Sequence, residues 1–158
     1  MKKFEFTGET KTISLFFRTA TLHRIRAVAE FGLVKIGDLG GWIEKEENLS
    51  HEGKAWVWGN AEVWGDAKVC GDAKVFSASH VLVIGAIGSR DDFTTFFRDK
   101  DNEITVKCGC FLGKIDKFLE KVTQTHGDSK YALVYRAAVE VARLQIDLSG
   151  EAPKDADE

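Results

Sequence analysis

Proline is almost missing: among 158 residues the single one is Pro153, so the chain from Met1 to Gly150 offers no proline break to a strand or helix. No stretch approaches the roughly 18 to 20 consecutive apolar residues that a helical membrane span requires. The opening MKKFEFTGETKTI alternates apolar and polar residues where a signal peptide would have an apolar core. Cysteine is scarce as well. Cys70, Cys108 and Cys110 are an odd number without a disulfide framework, which fits a reducing compartment, so a cytoplasmic protein is expected. Charge of one sign is lacking too: 22 Lys and Arg against 25 Asp and Glu give a formal −3 with both signs interspersed. That balance excludes a global basic field for wrapping duplex nucleic acid or lying on an anionic membrane.

What is present supports one globular domain or two small lobes sharing a core, with 44% hydrophobic and 30% charged residues. Phe4 and Phe6, then Ile13, Leu15 and Phe17, alternate with the period of half-buried strands, with TGET as a turn between two of them. TLHRIRAVAEFG reads as strand or one short helix, and IGDLGGWI as a glycine-rich turn region.

From Lys54 to Phe76 the chain reads KAWVWGNAEVWGDAKVCGDAKVF, with Val57, Val63, Val69 and Val75 each preceded two positions earlier by Ala. A hexad is neither the heptad of a helix nor the simple alternation of a sheet, and it predicts a parallel β-helix in which three hexads complete a coil. Val and Ala point inward. Gly59, Gly65 and Gly71, each followed by Asn or Asp, supply corners. Ile43 and Leu49 sit in phase with the alanines and imply a degenerate earlier coil, about one to two coils in all. Such a short solenoid needs caps from the rest of the chain.

Beyond it, SHVLVIGAIGS is continuously apolar, and DFTTFFRD, KDN and EITVKCGCF read as strand, turn, strand. Ile115, Phe118, Leu119 and Val122, then Tyr131, Val134, Tyr135, Ala138, Val141 and Ala142, recur at helical spacing. The expected fold is mixed β and α+β. It comprises N-terminal strands over 1–38, a short β-helix over 39–84, an α+β lobe with two helices over 85–148 and a disordered tail over 149–158.

The run from Phe31 to Phe76, with GDLGGWIE, NLS and repeated GNAEV-type hexads, resembles the hexapeptide-repeat, left-handed β-helix proteins of bacteria and their phages. Some of these carry a transferase label. The stretch TTFFRDKDNEITVKCGCFLGKIDKFLEKVTQTHGDSKYA resembles a module attached to such repeats in phage- and prophage-borne proteins. The resemblance implies a homotrimer, and a host cytoplasm if a phage encodes the chain. Residues 18 apart stack about 4.8 Å apart on successive coils, which puts Trp58 beneath Phe76 and Trp64 beneath Leu82. With Val57 and Ala61 inward, Trp56, Trp58, Trp64 and Phe76 are expected outward, as an interface or stacking surface.

Three chemistries compete with plainer readings. Hexapeptide-repeat acyltransferases use a histidine as general base and bind coenzyme A between solenoids, which singles out His80 and His51, the histidines nearest the repeat; the alternative is a polar edge residue. His23 and His126 have less to recommend them. Cys108 and Cys110 fall on one strand face as metal ligands, without the second Cys/His pair that a zinc site shows; buried structural cysteines are the alternative. In GAIGSRDDFTTFFR, Ser89, Arg90, Thr94, Thr95 and Arg98 could hold phosphate oxygens, with phenylalanines to stack a base. The alternative there is a solvated turn in which Arg90 pairs with Asp91, Asp92 or Asp99. The resulting expectation is a non-enzymatic, oligomeric binding protein that sequesters a small phosphorylated or nucleotide ligand, such as a defence signal, or a host protein. A scaffold module without ligand and an acyltransferase are the other readings, and no cofactor is implied.

Overall fold

A computed structural model describes residues 1–150; from residue 151 onward the expected tail lies outside the described residues. The N-terminal alternation forms a long antiparallel hairpin, β1 (Phe4–Ser14) against β2 (Thr19–Ala27), with Phe4 opposite Ala27 and Ser14 opposite Thr19. The TGET segment is not the turn. It lies inside β1 at a register shift between Phe6 and Thr10, where one strand carries extra residues and bulges. The true turn is closed by the Leu15 amide on the Arg18 carbonyl at 2.7 Å and holds Phe16 and Phe17 in solvent, 92% and 91% exposed. TLHRIRA is strand, and β2 passes its outer edge to β3 (Leu39–Ile43), His23 opposite Ile43.

The hexads fold inward as their composition dictates. Ala55, Ala61, Ala67, Ala73 and Val57, Val63, Val69, Val75 are all buried in one cluster. Gly59, Gly65 and Gly71 turn the corners at φ of 60°, 66° and 64°. Yet the expected left-handed parallel β-helix is not what the chain builds. The hexad strands β4 (Trp56–Val57), β5 (Glu62–Val63) and β6 (Lys74–Val75) are two residues long. Among the described residues, parallel pairing is confined to Trp42 and Ile43 with Glu62 and Val63, Trp56 and Val57 with Lys74 and Val75, and one bridge between Leu49 and Val69. Partners are thus 20 residues apart in one ladder and 18 in the other, so no uniform coil repeats. The reason is competition for edges: β3 offers one edge to the long hairpin and only the other to a hexad, giving a sheet ordered β1-β2-β3-β5 that is antiparallel except at its last pair.

The second sheet is antiparallel throughout. Its order is β10-β9-β8-β7, formed by β7 (Val81–Ile87), β8 (Asp92–Arg98), β9 (Ile104–Cys108) and β10 (Phe111–Lys114). Helices α1 (Ile115–His126) and α2 (Lys130–Gln145) follow. β8 is the wall between two cores. Phe97 joins the hexad cluster and the Thr95 hydroxyl accepts from the Lys68 amide at 3.0 Å, while Phe96 packs with Phe118, Val122, Tyr135 and Val139 of the helices. Neither helix is long and apolar enough to cross a membrane.

Two buried polar side chains join the pieces. The Asn48 carbonyl accepts from the amides of Glu44 (3.2 Å) and Lys45 (2.9 Å), and its amide donates to the carbonyls of Gly65 (3.0 Å) and Ala67 (2.9 Å). Asn48 is fully buried, so its loss would leave backbone groups without partners. Asn48→Ala should therefore lower the unfolding free energy in urea by about 2–4 kcal/mol. The Lys3 ammonium donates to the Ala55 carbonyl at 2.7 Å and lies 4.8 Å over the Phe31 ring. Burial pushes its pKa down from 10.5 to about 8. Between those two pH values the unfolded chain holds a proton that the folded chain has released, so stability rises with pH across that window. Chemical denaturation of wild type and Lys3→Met from pH 7 to 11 should show that rise in wild type and a flatter profile in the variant.

Candidate functional site

The β7–β8 turn, the β9–β10 turn and both helices enclose a groove of about 290 Å3. Ser89 and Arg90 come from the first turn, Cys108, Cys110 and Phe111 from the second; Phe118, Lys121, Thr125 and His126 come from α1, and Tyr135 from α2. The two turns adjoin because Thr94 and Cys108 are partners across β8 and β9, with the Thr94 hydroxyl donating to the Cys108 sulfur at 3.4 Å.

Two glycines let polar side chains into this space. A Cβ on Gly88 would stand 1.9 Å from the Tyr135 hydroxyl oxygen, and one on Gly109 would stand 1.9 Å from an Arg90 guanidinium nitrogen. Both residues have positive φ, 80° and 58°. Hence the Tyr135 phenol tucks against the first turn and the Arg90 fork lies across the second. Burial, then the neighbouring Cys108, pushes the Tyr135 pKa up, which keeps the phenol a neutral donor at ordinary pH. His126 stacks on Tyr135 with ring centroids 5.7 Å apart and planes at 28°.

Arg90 does not take the carboxylates near it in sequence. Asp92 accepts from the Phe93 amide at 2.7 Å; buried Asp99 accepts from the Thr105 hydroxyl at 2.6 Å and pairs with Lys114 at 3.1 Å. Neither Arg90 nor Lys121 forms an ion pair among the described residues. The groove therefore combines cationic and neutral donors with the rings of Phe111 and Phe118.

The five residues read as a phosphate cluster do not converge. Ser89 and Arg90 line the groove, whereas Thr94 is buried on Cys108, Thr95 turns to the hexads and Arg98 sits at the far end of β8. There the Arg98 guanidinium donates to the Lys74 carbonyl at 3.2 Å and lies 5.2 Å over the Phe76 ring. Sequence reasoning missed Lys121, Thr125 and Tyr135 as site residues, because a helical stripe read as core gives no sign of which flank faces a turn.

The aromatic residues divide as well. Trp58 stacks on Phe76 at 4.7 Å and 8°, with Lys74 5.3 Å over Trp58. Trp56 is not outward: it is 1% exposed, edge-on to Phe31 at 5.3 Å and to Phe4 at 6.5 Å, because the N-terminal hairpin and the loop that follows it cover it. Trp64 and Leu82 line one small cavity of about 210 Å3. His80 is buried, its Nδ1 accepting from the Phe76 amide at 3.0 Å; burial and then the Arg98 cation hold its pKa low. His51 stacks on Phe4 at 4.1 Å and accepts from the Lys3 amide, and His23 stacks on Phe6 at 4.4 Å. Cys108 and Cys110 flank Gly109 as free thiols, and among the described residues no three His, Cys, Asp or Glu side chains are grouped to hold a metal.

Gly88→Ala should lower stability by more than Gly59→Ala in thermal unfolding. Both strain a positive φ, at a cost on the order of 1 kcal/mol, but only Gly88 adds a clash, the space at Gly59 being open within 4 Å. No protein family matches the chain, and no curated protein matches it.

Proposed function

We propose that the chain is a binding protein that captures a small phosphorylated or nucleotide ligand in the groove between the two turns and the helices. The observation that carries this reading is the Arg90 guanidinium, exposed beside Gly109 without a carboxylate partner among the described residues. An Arg fork matches two phosphate oxygens, and Ser89 of the same turn, Lys121 of α1 and the neutral Tyr135 hydroxyl of α2 line the groove as further donors. Phe111 gives an apolar surface on which a base can rest. Capture is favoured over turnover because His80, the candidate base, is buried 7% exposed and its Nδ1 already receives a backbone amide.

Calorimetric titration with a panel of nucleoside monophosphates, cyclic nucleotides and inorganic phosphate tests the reading. At least one should bind, and Arg90→Ala should weaken it roughly 10- to 100-fold, the worth of a charge-assisted hydrogen bond. Arg90→Lys should recover only part of the loss. If no member of the panel gives heat or a thermal shift, the reading fails.

A further inference from the structure

The outer face of α2 is apolar where a helix on a protein surface is ordinarily polar. Its inner face, Ala132, Tyr135, Ala138, Val139 and Ala142, is consumed by the core. On the opposite side Leu133 is 61% exposed, Val141 46% and Leu144 89%, with Ala137 between the first two also exposed. At about 100° per residue these side chains fall within one narrow stripe running the length of the helix.

The stripe reads nearly the same in both directions about Ala137. Leu133 lies four residues before it and Val141 four after; Lys130 lies seven before and Leu144 seven after. A two-fold axis through Ala137 would therefore set Leu133 against the Val141 of a second copy, and Leu144 against the aliphatic stem of its Lys130. The small Ala137 at the centre lets the two backbones approach. Charge follows the same symmetry. Glu140 comes to lie one helical turn from the Lys130 of the second copy, within reach of a lysine side chain, and this happens twice. Lys130 has no ion pair among the described residues, and Glu140 has only the exposed Arg143 at 2.7 Å.

We infer that α2 is a self-association face and that its partner is a second copy of this chain, docked antiparallel about Ala137. A contact along one helix of this length buries on the order of 1,000 Å2 in total, the size of a weak, reversible dimer. The inference does not depend on the groove.

Sedimentation velocity and light scattering over a concentration series should show a monomer passing to a dimer. Leu133→Glu, an exposed position that the fold tolerates, should weaken the dimer at least tenfold. Glu140→Lys should do the same, and adding Lys130→Glu should restore association. In a Cys110→Ser background, mild oxidation should link Ala137→Cys to itself faster than Glu140→Cys, because only position 137 lies on the axis. A monomer at the highest attainable concentration would overturn the inference, as would a trimer, equal linking at 137 and 140, or a charge swap without rescue.

Discussion

The alanines and valines of the hexads form a column too narrow and too short to exclude water by themselves, so they have to be covered by the rest of the chain. Phe4, Ile25 and Ala27 of the N-terminal hairpin and Phe97 of β8 join their cluster and supply that cover. Each covering residue fixes a larger element. Phe4 settles where β1 must start, and Phe97 settles which face of β8 turns inward, which in turn gives Phe96 to the helices. The placement of the groove descends from this requirement, since β8 carries the turn with Ser89 and Arg90 at one end. The apolar contact itself is undirected, and the backbone bonds made by Asn48 and Lys3 give it a single register.

Cations in this protein sit over rings in place of water. Lys3 lies over Phe31, Lys74 over Trp58 and Arg98 over Phe76, and all three are buried. The ring face compensates part of the lost hydration, and backbone carbonyls accept from Lys3 and Arg98. Trp58 and Phe76 are thereby engaged within the molecule.

Periodicity made some of this legible. The inward set of Ala55 to Val75, the corners at Gly59, Gly65 and Gly71, and the helical stripes through Phe118 and Tyr135 all follow from residue type and spacing. What spacing does not carry is who wins a strand edge. β3 pairs with β2 through Arg24 and Trp42, an antiparallel contact between segments that no repeat relates, and beside it the hexads form only two-residue parallel ladders. Trp56 escaped for the same reason, because its cover, Phe4 and Phe31, comes from outside the repeat. In the groove, Ser89 and Arg90 could be read from their residue types beside glycine. Tyr135 could not, since its hydroxyl enters through a space that Gly88 leaves across a separation of 47 residues.

Lys114 is both the last residue of β10 and the residue that opens α1, and it reaches three carboxylates of the β8–β9 turn: Asp99 at 3.1 Å and Asp101 and Glu103 at 2.8 Å each. One ammonium thus ties the first turn of α1 to the loop at the opposite end of the sheet from the groove. α1 runs from that anchored end toward the groove, so the backbone beneath Lys121 takes its position from the far loop. In the proposed capture the backbone beneath Arg90 and Lys121 would be in place before an anion arrives, and the cost left to pay would be the ordering of their two exposed side chains.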